Sequence, residues 1–427
     1  MASKNITGFG DSLQDIKFDG FWDWLIHYED FTTKWKAQPT YILSQGIFIL
    51  HGVATFVHAV RNGGRLPYLW FAIILHGLVV EVVSYNLPDI DNFWHSQTPL
   101  ILAGRRLPIH IVFLYCAFIY NASVAVSKAR LPNWAEPFAV GLCSVLIDLP
   151  YDIVSVKFVH WTWHDTDPNI YDRHYWVPWT SYYFHASFAA SLTFWFHASH
   201  RWIASPEKWR AGSAGRELAC AALAGLLGFP GGVLLFVLAY HPLHDACAVH
   251  SEVAMFLLLV AFLAAVWSAD REPAAGSRPA GRVSRDLDGR LIILVPLFLH
   301  YALFLCLAMF GNPEEEVSVG LHEPIGPCNE TVTFQNPLGM DLKKRKYLCV
   351  SDYEEDYFSF SCLPRGAPPS GSVWYTVCGT PFANRAEYVA VIGCIAALGA
   401  VVFYNLHFKS GEVAVASQLA RPKQKKK

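Results

Sequence analysis

The stretch "DLPYDIVSVKFVHWTWHDTD" (Asp148–Asp167) opens as an apolar membrane-type run and closes in a cluster of Trp, His and Asp. Asp148 and Asp152 are four residues apart, so on a helix they share one face. Pro150 between them removes a backbone donor and is expected to bend that helix. Carboxylates in hydrocarbon are costly unless paired or neutralised, and an ionisable residue inside a span is by default a functional-site hypothesis. Two close carboxylates in a low dielectric cannot both ionise cheaply. One is expected to hold a proton and serve as a general acid. The structural alternative is a hydrogen-bonded pair, with Lys157 as one partner.

Segments of the same apolar kind recur along the chain. Of 427 residues, 53% are hydrophobic, 15% aromatic and only 16% charged, against about 25% charged in ordinary soluble domains. A net charge of −2 argues against a nucleic-acid surface. A helical span needs about 20 mostly apolar residues. Nine segments qualify: 37–60, 66–87, 107–127, 138–161, 177–199, 218–240, 246–268, 291–310 and 387–408. The expected fold class is all-α, a polytopic transmembrane helical bundle of about nine spans.

Around the bundle, residues 1–36 form an N-terminal arm, 37–310 the first eight spans, 311–386 a loop, 387–408 the last span and 409–427 a basic tail. The arm is polar and charged, unlike a cleavable signal peptide. Its run "FDGFWDWLIHYEDF" (Phe18–Phe31) mixes aromatic and acidic residues and suits a helix lying in the membrane interface.

Basic residues mark cytoplasmic loops. "RNGGR" (61–65), "SKAR" (127–130), "HRWIASPEKWRAGSAGR" (200–216) and the Ala-, Gly-, Arg- and Pro-rich connection 270–290 all fall on one side if nine spans alternate. The N-terminus is then exoplasmic and the C-terminus cytoplasmic. Arg105 and Arg106 are the exception. Two sequons, at Asn5 and Asn329, fall on the exoplasmic side as glycosylation sites, while Asn121 lies within a span. The loop 311–386 carries Cys328, Cys349, Cys362 and Cys378. In an oxidising compartment these suggest two disulfides, with three pairings open. Their spacing lacks the CxxC pairs of zinc sites. The ending "KQKKK" resembles the dilysine retrieval signals of endoplasmic-reticulum proteins, so the expected location is that membrane or the plasma membrane.

With a rise of 1.5 Å per residue, Glu81 sits about 9 Å deep, Asp152 about 14 Å, His185 about 12 Å and Glu252 about 9 Å, all from the exoplasmic side. His110 joins them nearer the surface, and Asp148 lies near mid-depth. This polar layer in one half of the bundle is the principal functional signal. Glu81 shares a face with Tyr85. Trp161, Trp163, Trp176 and Trp179 fit an interfacial belt, and the bland reading of any single histidine is a satisfied core residue.

The histidine pairs in "HWTWH" (His160, His164), "HASH" (197–200) and "HPLH" (His241, His244) invite a metal reading. They do not converge on one side, which excludes a di-iron histidine-box enzyme. "SYYFH" (Ser181 to His185) resembles the Ser-x-x-x-His of alkaline ceramidases and adiponectin receptors, but the later His-x-x-x-His of those zinc hydrolases is out of order here. No cofactor is expected. Zinc is the minority alternative, with His160, His164, His241 and His244 as weak candidates.

"HGLVVEVVSYNLPDIDNFWH" (76–95) and the segment 148–184 resemble, over residues 45–200, the carotenoid-biosynthesis membrane proteins of the bisanhydrobacterioruberin hydratase type. The architecture is also similar to multi-span membrane proteins of animals. The hydratase resemblance implies acid chemistry on an isoprenoid double bond, with Glu81, Asp148, Asp152 and the Trp161–Trp163 pair at the matching positions. The leading expectation is an enzyme acting on an apolar lipid or isoprenoid-like substrate. Glu81, Asp148, Asp152 and His185 would be catalytic. Tyr85, Tyr151, Trp161, Trp163 and Glu252 would bind substrate. The alternatives are a proton- or cation-coupled transporter, whose polar lining would run on to His51 or His300, and a receptor or scaffold. Membrane lipids are the expected partners.

Overall fold

The computed structural model describes residues 16, 18–87, 90–163, 166–205, 207–270, 283–353 and 355–409. Asn5, Pro88, His164, most of the 270–290 connection and the lysine tail lie outside them. The arm folds into two short helices, α1 (Gly20–Leu25) and α2 (Phe31–Ala37). The bundle follows as α3 (Pro39–Asn62), α4 (Leu66–Asn86), α5 (Ile109–Tyr115) and α6 (Asn121–Ser127). A π-helical turn, Cys116–Tyr120, joins α5 to α6. Then come α7 (Glu136–Lys157), α8 (Trp179–Ile203), α9 (Ala214–Leu235), α10 (Ser251–Trp267), α11 (Val283–Phe310) and α12 (Arg385–Phe408).

Each apolar segment is therefore helical, and among the described residues seven helices are long and apolar enough to cross a membrane. The other two segments fall short for different reasons. α8 is long, but Ser, Thr and His dilute its apolar character. α10 has 17 residues. It is short because α9 continues through π-helical turns as far as Ala246. The span expected at 246–268 thus starts late, and Glu252 falls in the exposed first turn of α10 instead of inside the bundle.

Small residues set the closest helix contacts. A Cβ on Gly141 of α7 would collide with the carbonyl of Ala186 on α8, and one on Gly232 of α9 would strike the Phe188 ring. Such positions let backbones approach where burial of apolar surface gives no drive between helices. α7 keeps Pro150 in its interior. It stops at Lys157, where Phe158 leaves the helix and Val159 takes a left-handed φ of 49°, so the expected span ends four residues early.

At one end of the bundle the loops build a cap containing short strands, which an all-α reading misses. β1 (Ile26–Tyr28), β3 (Leu100–Leu102) and β4 (Leu107–Pro108) form one sheet. β2 (Phe93–His95) pairs with β5 (Trp161–Trp163), and β6 (Arg173–His174) with β7 (Val177–Pro178). In the 311–386 loop, β8 (Val317–Leu321), β12 (Trp374–Gly379) and β11 (Phe358–Ser359) form a second three-stranded sheet, and β9 (Thr331–Gln335) and β10 (Asp341–Arg345) a hairpin. Pairing satisfies backbone groups that packed loops would otherwise bury unmet. Disulfides Cys328–Cys349 and Cys362–Cys378 staple this loop. Arg105 and Arg106 do not break the charge pattern as free cations. Arg106 pairs with Asp91 and Arg105 lies 4.0 Å from Asp23.

At the opposite end Arg65 is fully buried. Its Nε donates to Glu217 at 2.9 Å, its Nη2 to the Phe196 carbonyl at 2.8 Å, and its guanidinium lies 3.9 Å over the Phe196 ring. His200 Nδ1 stands 3.0 Å from the other Glu217 oxygen, and His197 contacts Glu136, which Lys208 also pairs. The "HASH" histidines thus belong to a buried ion-pair network tying α4, α7, α8 and α9 together. Removing one partner of a buried pair leaves an uncompensated charge and costs about 3–5 kcal/mol. Arg65→Met should lower the melting temperature in detergent sharply, and Arg65→Met with Glu217→Met should recover most of the loss; an unaffected single mutant would contradict this role.

Candidate functional site

The carboxylates of the opening stretch face α8. Both Asp148 and Asp152 are fully buried on α7. Ser181 Oγ on α8 donates to Asp152 Oδ2 at 2.9 Å. One turn along α8, His185 Nε2 stands 3.6 Å from Asp148 Oδ2. Apart from the hydrogen bond the two carboxyls can make with each other, no N–H or O–H donor among the described residues bonds either Asp148 oxygen or Asp152 Oδ1. Lys157, the partner expected from sequence, turns instead to the cap, donating to Thr380 Oγ1 at 2.9 Å and to the Pro381 carbonyl at 3.0 Å. The contact of Gly141 with Ala186 brings these two helix faces close enough for this arrangement.

Glu81 on α4 is held by two phenols. Tyr85 OH donates to Oε2 at 2.5 Å, as the four-residue spacing suggested, and Tyr115 OH from α5 donates to Oε1 at 2.9 Å. His95 Nε2 from β2 stands 3.9 Å from Oε2. His95 stacks on Trp161 with ring centroids 5.7 Å apart. Burial, with Arg106 nearby, pushes its imidazole down to about 3, so it stays neutral at cellular pH.

Both groups border one cavity of about 410 Å³, walled by α4, α5, α7, α8 and α9. Ligand pockets typically span about 300–1,000 Å³ and are mostly apolar with a few placed polar groups. Here Glu81, Asp152, Ser181 and His185 stand among Leu114, Tyr115, Tyr151, Phe184, Phe188, Phe229, Val233 and Phe236. Trp161 and Trp163 also line it, so they face inward and do not form a lipid belt. Trp176 packs near Tyr357 and Trp179 stacks on His174 at 4.6 Å. On the cap side the cavity is bounded by Asp167, Asn169 and the hairpin residues Phe334 to Pro337.

At that rim His241 and His244 both turn onto Asp245, at 2.7 Å and 2.6 Å, and Asn336 donates to the same carboxylate at 2.5 Å. The hairpin is tied down again by Lys344, 3.7 Å from Asp167. The rim histidines therefore position the hairpin over the cavity. His160 bonds Thr40 Oγ1 at 2.8 Å and stacks on Tyr41. It is not brought together with the rim pair. His110 is buried against Tyr41 and Phe48 and does not line the cavity. Neither does Glu252. Asp148 does not line the cavity; it stands 3.6 Å from His185, which does. Among the described residues, the group placed to hold a metal ion is Asp148, Asp152 and His185, whose ligand atoms lie within 4.8 Å of one another.

His51 and His300 pack together deeper in the bundle, ring centroids 5.7 Å apart. Phe118 stands between this pair and the cavity, edge-on to His185 at 5.6 Å and to His300 at 6.4 Å. Sequence reasoning missed Tyr115, His95 and the hairpin tip. Ser181 carried a signal, its four-residue spacing from His185. Tyr115 carried none.

A family model described as a domain of unknown function (DUF7802) matches residues 13–408. No curated protein and no solved structure matches the chain.

Proposed function

The chain belongs to the DUF7802 family, and we propose that it is an integral membrane enzyme acting on a lipid or isoprenoid-like molecule held in this cavity. The observation that carries the reading is the pairing of a largely apolar cavity with Glu81 presented from one set of helices and Asp152 and His185 from another. Aromatic walls suit an apolar skeleton. Groups able to give and take protons are few and placed together, as acid–base catalysis requires. Asp152, oriented by Ser181, is the proton donor or acceptor. Glu81, oriented by Tyr85 and Tyr115, is the complementary group. His185 assists beside Asp148. Hydration of an isoprenoid double bond is one reaction that suits them. One carboxyl would give its proton to an alkene carbon, water would add to the other carbon, and the second carboxylate would take the proton that water loses.

A transporter would need polar lining that continues from the layer to His51 and His300, and the Phe118 ring between them weighs against that route. A scaffold with a fully satisfied polar layer would have no such cavity. Lipid mass spectrometry of the purified protein should find a copurified apolar molecule. Val233→Trp, which fills the cavity, should remove it. Absence of any such lipid from the wild type would contradict the enzyme reading.

We further propose that all nine apolar helices cross the membrane, with the cap exoplasmic and the basic ends cytoplasmic, in the endoplasmic reticulum or plasma membrane. Support comes from the disulfides in the cap and from Asn329, exposed on a turn beside Cys328. Endoglycosidase treatment of the protein made in animal cells should give a gel shift that Asn329→Gln reduces; a cap that never carries glycan and reacts with cytosolic thiol reagents would reverse the orientation.

A further inference from the structure

We propose that Asp148, Asp152 and His185 bind one divalent transition-metal ion, such as Zn²⁺, in the wall of the cavity. One ligand atom from each residue lies within 4.8 Å of the other two. Zinc binds carboxylate oxygen and imidazole nitrogen at about 2.0–2.2 Å, so small side-chain rotations close the set. Apart from a proton the two carboxyls can share between themselves, both oxygens of fully buried Asp148, and Oδ1 of Asp152, lack a hydrogen-bond donor among the described residues. Buried polar groups of this kind carry a desolvation penalty that native structures rarely leave unmet. Nor does a Lys or Arg among the described residues form a salt bridge with either carboxylate, since Lys157 is engaged at the cap and Arg106 with Asp91.

The surroundings fit an ion as well as the ligands do. Ser181 Oγ fixes Asp152 Oδ2 at 2.9 Å, the kind of outer contact that orients metal-bound carboxylates. Three protein ligands with open positions is the pattern of catalytic zinc sites. Two of the three ligands, Asp152 and His185, line the cavity, so the open positions would face whatever the cavity holds. An imidazole with two carboxylates suits a divalent ion such as Zn²⁺ or Mn²⁺, whereas monovalent Cu(I) would favour thiolate or thioether. This places the ion away from "HWTWH" and "HPLH", the histidine pairs that draw the eye in the sequence. Binding of the ion does not require the apolar-substrate reading. If both hold, Asp152 is a ligand and Glu81, across the cavity, remains for proton transfer.

The test uses the full chain purified in detergent without chelators. Elemental analysis should find about one equivalent of a divalent transition metal. Protein stripped with chelator should bind Zn²⁺ saturably at one equivalent in calorimetry, with a higher melting temperature. Asp148→Asn and His185→Gln should each weaken this at least tenfold. Ser181→Ala should weaken it by roughly 10–100-fold, the range for an outer-shell contact, while Asp245→Asn at the rim should retain it. A wild type that carries no metal and takes up none overturns the proposal, even if the variants fail to fold. Equal binding by wild type and both ligand variants overturns it too. Lipid copurified with the stripped wild type is read separately, so loss of the ion and loss of the apolar-ligand reading are distinguished.

Discussion

Burying Asp148 and Asp152 on one turn of α7 is the constraint that organises this molecule. Two carboxylates in a helix bundle need donors, a proton or a cation. The neighbouring helix answers with Ser181 and His185. Backbone approach supports that answer, because Gly141 on α7 leaves room for the Ala186 carbonyl of α8. On the far wall Glu81 is held by Tyr85 and Tyr115. The space left between these anchored groups is aromatic and apolar. Polar chemistry is thus confined to a few fixed points facing one cavity.

The two ends of the bundle do different physical work. The basic end is closed by the buried network of Arg65, Glu217, His200, His197, Glu136 and Lys208, in which cations and anions meet directly. The capped end is closed by paired strands and two disulfides. The Cys328–Cys349 bridge spans the base of the hairpin whose tip borders the cavity. Access from that side is therefore governed by a covalently stapled element, tied down through Asn336 and Lys344.

Much of this was legible in the sequence, and the failures have physical reasons. Apolar runs of span length located every bundle helix, because length and hydrophobicity are local properties. The i, i+4 spacing of Asp148 with Asp152, and of Glu81 with Tyr85, placed partners on shared faces. Glu252 went wrong because α9 continues through π-helical turns to Ala246 and delays the start of α10. That winding leaves no hydrophobic signature. Trp161 and Trp163 read as belt residues, but strand pairing with Phe93–His95 turns them inward. Tyr115 and His95 could not be found, since their roles exist only through contacts between distant segments. The pairing of Cys328 with Cys349 and Cys362 with Cys378 was one of three that spacing left open.

The central claim is that the cavity lined by Glu81 and Asp152 is a binding site for an apolar molecule. It is most directly tested by an electron cryomicroscopy map of the protein in lipid nanodiscs. The account predicts non-protein density inside the cavity, against Trp161 and Phe188 and reaching toward Asp152. A cavity that is collapsed, or a continuous water-filled path past Phe118 to His51 and His300, would contradict it.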